Sequence, residues 1–142
     1  MNHDLQKARQ LLDENNYTCV LCKDDIIHTS THRGVAPLLN WLDTGTDLRG
    51  FSAADRVIGR ATAFLYYLLG VKAVFARVMS RPALEILNQY GIPANWETLV
   101  DAIENRQKTG PCPMEHATRN STTPEEALAA VRQTLLQLQQ KS

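Results

Sequence analysis

The chain has 142 residues, a length at which one hydrophobic core is the natural solution, so a single domain over residues 1–142 is expected. With 15 Lys and Arg against 15 Asp and Glu it lacks the positive surplus that draws proteins to phosphate backbones or anionic lipid, so neither a nucleic-acid polymer nor a membrane is an expected partner. A hydrophobic content of 44% excludes a disordered chain.

Residues 1–14 are polar and charged, with none of the apolar run an export signal needs. The longest apolar stretch, residues 61–69, falls well short of the roughly 20 residues that cross a bilayer. Three cysteines are an odd count, read as free thiols in a reducing compartment, and the expected location is the cytoplasm.

Leu5, Ala8 and Leu12 recur at helical spacing within residues 4–14, and Asn15-Asn16 ends that helix. Residues 17–21 and 26–31 are rich in β-formers around the polar turn Lys23-Asp24-Asp25, the pattern of a hairpin. Val35, Leu38, Leu39 and Leu42 form the stripe of a short helix, with Pro37 in its first turn and Gly45 beyond its end. Ser52 and Asp55 stand at the Ser-x-x-acid spacing of a helix cap, predicting a long central helix from there through Leu68 to Gly70, with Gly59 and Ala63 admitting a close neighbour. Residues 71–79 read as an interior strand, after which Ser80 caps a helix over residues 81–90. A strand is expected at residues 92–96, residues 99–104 fit helix or strand, and residues 107–123 form a long irregular segment. Thr123-Pro124-Glu125-Glu126 then caps a terminal helix whose seam is Leu128, Val131, Leu135 and Leu138. This order predicts an α/β fold, a three-layer sandwich with a mixed sheet and helices on both faces.

The segment Gly110-Pro111-Cys112-Pro113-Met114-Glu115 is the first candidate for a working site. Pro113 can open a short helix there, placing Cys112 where amide donors and the helix dipole stabilise a thiolate, with Glu115 and His116 available for proton transfer. The same letters also describe a rigid turn in which Cys112 fills a gap and Glu115 caps a helix. Cys19-Val20-Leu21-Cys22 has the letters of a metal or redox motif, but positions three apart on a strand project from opposite faces, so both are read as buried structural thiols. Arg33, Ser52 and Arg56 are candidate ligand-binding residues at element ends, as are Asn105 and Arg106 ahead of the 110–115 loop, and Asp55 is a candidate catalytic carboxylate.

Arg33-Gly34-Val35-Ala36-Pro37-Leu38-Leu39, Gly50-Phe51-Ser52-Ala53-Ala54-Asp55-Arg56-Val57-Ile58-Gly59 and the 110–115 segment together resemble a small bacterial and archaeal family, domain of unknown function 1893, along nearly the whole chain. That resemblance implies a cytidine-deaminase-like fold. A zinc deaminase needs His-x-Glu at one helix start and Pro-Cys-x-x-Cys at the next. Ala53-Ala54-Asp55 and Ser80-Arg81-Pro82-Ala83 hold those places here, while Pro111-Cys112-Pro113-Met114-Glu115 comes one helix and one strand too late and has Glu for the second Cys. No metal site and no cofactor is therefore expected. The reading that follows is a zinc-independent protein of that fold, binding a small polar, nucleotide-like ligand between the central helix start and the 110–115 loop. Asp55 and Arg56 would hold polar groups, with Cys112 as nucleophile and Glu115 as base if chemistry occurs. The alternative is a non-catalytic sensing or interaction module. The terminal seam and central helix serve a homodimer as readily as a monomer.

Overall fold

The computed structural model describes residues 1–105, 107–110 and 112–140. Helix α1, His3–Glu14, buries Leu5, Ala8 and Leu12 and is capped by the Asn2 side chain, which accepts the Leu5 N–H at 2.7 Å. Strands β1, Cys19–Lys23, and β2, Ile26–Ser30, form the expected hairpin, and Asp24 in its turn adopts the left-handed conformation at φ 52°. Helix α2, Ala36–Thr44, has Pro37 in its first turn and ends on Gly45 at φ 68°, a left-handed cap that glycine adopts without steric cost.

The next element departs from the expectation. Ser52–Ile58 is a strand, β3, and the central helix starts only at Arg60, running as α3 over Arg60–Leu69. Ser52 and Asp55 therefore do not cap a helix. Ala53 and Ala54 favour helix intrinsically, and Ser-x-x-Asp matches the capping pattern, but pairing on both sides to neighbouring strands outweighs these local preferences. Gly59, in extended backbone, separates the two elements.

Strand β4, Ala73–Ser80, follows, then helix α4, Arg81–Gln89, whose first turn is closed by the Ser80 hydroxyl accepting the Ala83 N–H at 3.2 Å. Strand β5 spans Ala94–Val100, so Pro93 precedes it and Leu99 and Val100 complete it. The long irregular segment contains one helix, α5, Pro113–Thr118, opened by Pro113 as expected. Helix α6, Pro124–Gln140, begins where the Thr123 hydroxyl accepts the Glu126 N–H at 3.2 Å.

Among the described residues the sheet has five strands in the order β2-β1-β3-β4-β5. Both neighbours of β1 pair with it antiparallel, whereas β3, β4 and β5 are mutually parallel. It follows that β1 alone runs backwards and that the carboxyl ends of β2, β3, β4 and β5 share one edge of the sheet.

Residues alternate between the two faces of the strands. On one face, Val20, Cys22, Ala54, Ala73 and Phe75 meet Leu5, Ala8 and Leu12 of α1. On the other, Cys19, Leu21, Ala53, Val74 and Ala76 join the larger core formed with α2, α3, α4 and α6. Cys19 and Cys22 thus lie in separate layers, as the strand geometry requires, and both are buried free thiols. Each fully buried leucine contributes about 1.5–3 kcal/mol of transfer free energy, so Leu5 and Leu12 supply most of the adhesion of α1. The ion pairs Arg9–Glu97 and Arg77–Asp13, each at 3.2 Å, are half-exposed and add little. Helix α3 is buried over Ala61 to Tyr66 and exposes Tyr67, while α6 leaves Leu136 and Leu138 exposed.

Candidate functional site

The sheet polarity decides which sequence candidates come together. Arg33 follows β2, Asp55 and Arg56 occupy the carboxyl-terminal half of β3, and the Asn105 and Cys112 segments follow β5. All lie toward the same edge, whereas Ser52 starts β3 at the opposite one. The Ser52 hydroxyl is buried on the α1 face and donates to Asn2 Oδ1 at 3.2 Å, a structural contact. Arg106 and Pro111 lie outside the described residues.

Asp55 faces the α3 layer, directly across from Cys19 of β1. Its Oδ2 accepts the Tyr66 hydroxyl at 2.7 Å, and its Oδ1 accepts the Val57 N–H at 3.3 Å. Burial pushes the carboxyl up to about 6, even though the Tyr66 hydroxyl and backbone amides favour the charged form. Burial likewise pushes up the Cys19 thiol and the Tyr66 phenol, and the nearby Asp55 charge adds to both. Nothing in the local sequence marks Tyr66 as the partner of Asp55. A tyrosine within an apolar helix was the one signal, since a buried phenol needs a hydrogen bond.

Arg56 projects to the other face, its terminal nitrogen donating to Asn16 Oδ1 at 3.0 Å. Its Nε is the one buried side-chain nitrogen or oxygen among the described residues that has no hydrogen-bond partner. Such atoms are rare because an unmet buried donor is costly, which makes this nitrogen a candidate ligand contact.

Glu115 reaches from α5 onto the start of α3. Its carboxylate accepts the Ala61 N–H at 3.4 Å and sits so close to Gly59 that a Cβ there would overlap it. The close neighbour expected at Gly59 is thus a carboxylate. Burial pushes the Glu115 carboxyl up, against the stabilising Ala61 and Arg60 amides and the Arg60 charge. Arg60 completes the junction: its Nε donates to the Thr118 carbonyl at 2.9 Å, its terminal nitrogen donates to the Ser121 carbonyl, and its guanidinium lies over the Phe64 ring. The charged side chain therefore satisfies carbonyls where α5 ends.

Cys112 is half-buried at the N-terminus of α5 without a side-chain cap bond, and its N–H donates to the Ile103 carbonyl at 2.9 Å. No hydrogen bond or ion pair joins it to Asp55, so Glu115 is the member of the loop that engages α3. The Asn105 side chain folds onto its own loop, bonding Thr109 twice at 3.1 Å. Arg33 is exposed after the hairpin. Among the described residues no three His, Cys, Asp or Glu side chains gather to hold a metal ion, and no helix is long and apolar enough to cross a membrane.

The architecture is an α/β fold with a mixed sheet, and Arg33, Asp55, Arg56, Asn105 and Cys112 lie toward its carboxyl-terminal edge. The chain belongs to the family described as TM1506, a domain of unknown function (DUF1893), which matches residues 7–135. A solved relative is the DUF1893 family protein TM1506 from Thermotoga maritima, determined at 2.70 Å resolution. It is similar over 94% of this chain and 91% of its own, with a TM-score of 0.85 at 21% sequence identity, a likeness of fold. No curated protein matches the chain.

Proposed function

We propose that the chain is a zinc-independent protein of cytidine-deaminase-like fold that binds a small polar, nucleotide-like ligand at the carboxyl-terminal edge of the sheet. The observation that carries this reading is the buried, unpartnered Nε of Arg56, a cation with a donor to spare at that edge. Ligands of α/β sheets bind outside the carboxyl ends of the strands, and guanidinium groups favour phosphate and carboxylate. The mixed sheet, with β1 reversed and helices on both faces, is in keeping with the fold class that the family resemblance implies. Glu115 would act as base or orienting acceptor beside the start of α3, Cys112 as nucleophile if a reaction occurs, and Arg33 and Asn105 as outer polar contacts. Ligand binding without turnover, as a sensing or interaction module, is the competing reading. A cytoplasmic location and a homodimer belong to the same proposal.

Titration calorimetry with inorganic phosphate, nucleosides and nucleoside monophosphates tests it. An anionic member of this set is expected to bind, and Arg56→Gln is expected to weaken it at least about tenfold, the loss of a charge-assisted contact. Binding that Arg56→Gln leaves unchanged, or no binding up to about 1 mM, removes the reading. If the bound compound is also converted, Cys112→Ser should abolish turnover while sparing affinity. Turnover unaffected by that change strips Cys112 of its role.

A further inference from the structure

We infer that β2 is an interface at which a second copy of this chain adds its own β2 antiparallel, joining two sheets edge to edge. Strand β2 closes one side of the sheet, and no other strand of the described residues pairs with its outer edge. Proteins that keep such an edge free interrupt it with charge, proline or a bulge. Ile26-Ile27-His28-Thr29-Ser30 contains no Lys, Arg, Asp, Glu or Pro, pairs with β1 in unbroken register, and exposes Ile26 at 54% and Ile27 at 42%.

Charge and shape both select a second copy as the occupant. The acidic pair Asp24-Asp25 precedes the strand and Arg33 follows it, all three exposed, and among the described residues none of these side chains forms an ion pair within the chain. Antiparallel pairing about His28 brings the acidic end of each copy to the basic end of the other. The same register sets Ile26 of one copy opposite Ser30 of the other. His28 packs against Trp41 and Phe51, so Ile26 and Ser30, two residues away on either side, share the α2 face. There a groove lined by Ser30, His32, Pro37, Asn40 and Trp41 lies beside the strand end, placed to receive the exposed isoleucine. Lys23 ends β1, one strand in from the open edge, and its Nζ donates to the Arg49 carbonyl, away from the arriving Arg33. A self-complementary patch of this kind generates a closed two-fold dimer.

Sedimentation of the full chain across concentration is the test. The monomer mass is 15.9 kDa, and the expected behaviour is a reversible shift toward twice that value with a dissociation constant between about 1 µM and 1 mM, fitting one short strand pair. Asp25→Arg and Arg33→Asp, both at exposed turn or loop positions, should each weaken the dimer about tenfold by replacing attraction with repulsion at both ends. Together the two changes should restore it to within about threefold of the parent. A chain that stays monomeric up to about 1 mM overturns the inference. So does a dimer that ignores both single changes, or one that the double change fails to restore.

Discussion

Replacing Asp55 with Asn is expected to stabilise the protein at pH 8 by about 1–3 kcal/mol and to remove much of its loss of stability between acid and neutral pH. In the folded chain the carboxyl titrates at about 6, against an ordinary 3.8. At pH values below the ordinary one it is neutral in both states, and its folded-state advantage is fully present. As pH rises toward 6 the unfolded chain ionises first, and the folded state progressively carries the cost of a buried charge. A rise of that size corresponds to about 3 kcal/mol, the upper bound of the gain. Asn keeps an oxygen for the Tyr66 hydroxyl and carries no charge at any pH. Urea unfolding at intervals from pH 4 to pH 8 should show the variant and parent converging at the acid end and separating as pH rises. A difference that stays constant across that range would mean that Asp55 does not titrate under α3. Glu115, also pushed up by burial, adds a contribution of the same sign.

The second large effect concerns the junction of α3 with α5. Gly59→Ala introduces one methyl where the Glu115 carboxylate lies, and alanine tolerates the extended backbone at that position. The methyl should evict the carboxylate and uncap α3, costing about 1–3 kcal/mol. Glu115→Ala alone should cost about 1–2 kcal/mol through the same lost cap. Once Glu115 is truncated there is nothing to evict, so adding Gly59→Ala should cost less than about 0.5 kcal/mol. Equilibrium unfolding of the four proteins in this cycle measures the coupling directly. Additive losses would show that Glu115 does not occupy the start of α3. The cycle also bears on the proposed function, because the Glu115 side chain occupies the Ala61 amide at the start of α3.

The hairpin, the caps at Ser80 and Thr123, the glycine stops and the terminal helix were all legible in the sequence, because each depends on residues within a few positions of one another. Strand β3 was not legible. Its letters satisfy a local capping rule, and its true state is set by Cys19 to Cys22 on one side and Ala73 to Met79 on the other, partners remote along the chain. Misplacing that strand had a direct consequence for the site. Adjacent residues on a helix start would share a neighbourhood, but on a strand Asp55 and Arg56 point to opposite faces. Asp55 thereby acquires Tyr66, and Arg56 acquires Asn16. The pairing of Gly59 with Glu115 was half visible: the glycine announced a close neighbour, but which residue came there depended on how α5 docks.

The two thiols of β1 lie in different layers of the protein. Cys22 lies in the small layer under α1, with Leu5, Ala8 and Leu12 and with Leu11 and Tyr17 at its margin, whereas Cys19 lies in the thicker layer built with α2, α3, α4 and α6. A strand so built carries an intrinsic reporter for each layer. Reaction at Cys22 registers the partial opening in which α1 lifts away, reaction at Cys19 registers the rarer loosening of the main core, and the interval between them gauges how far the lone helix moves independently of the rest.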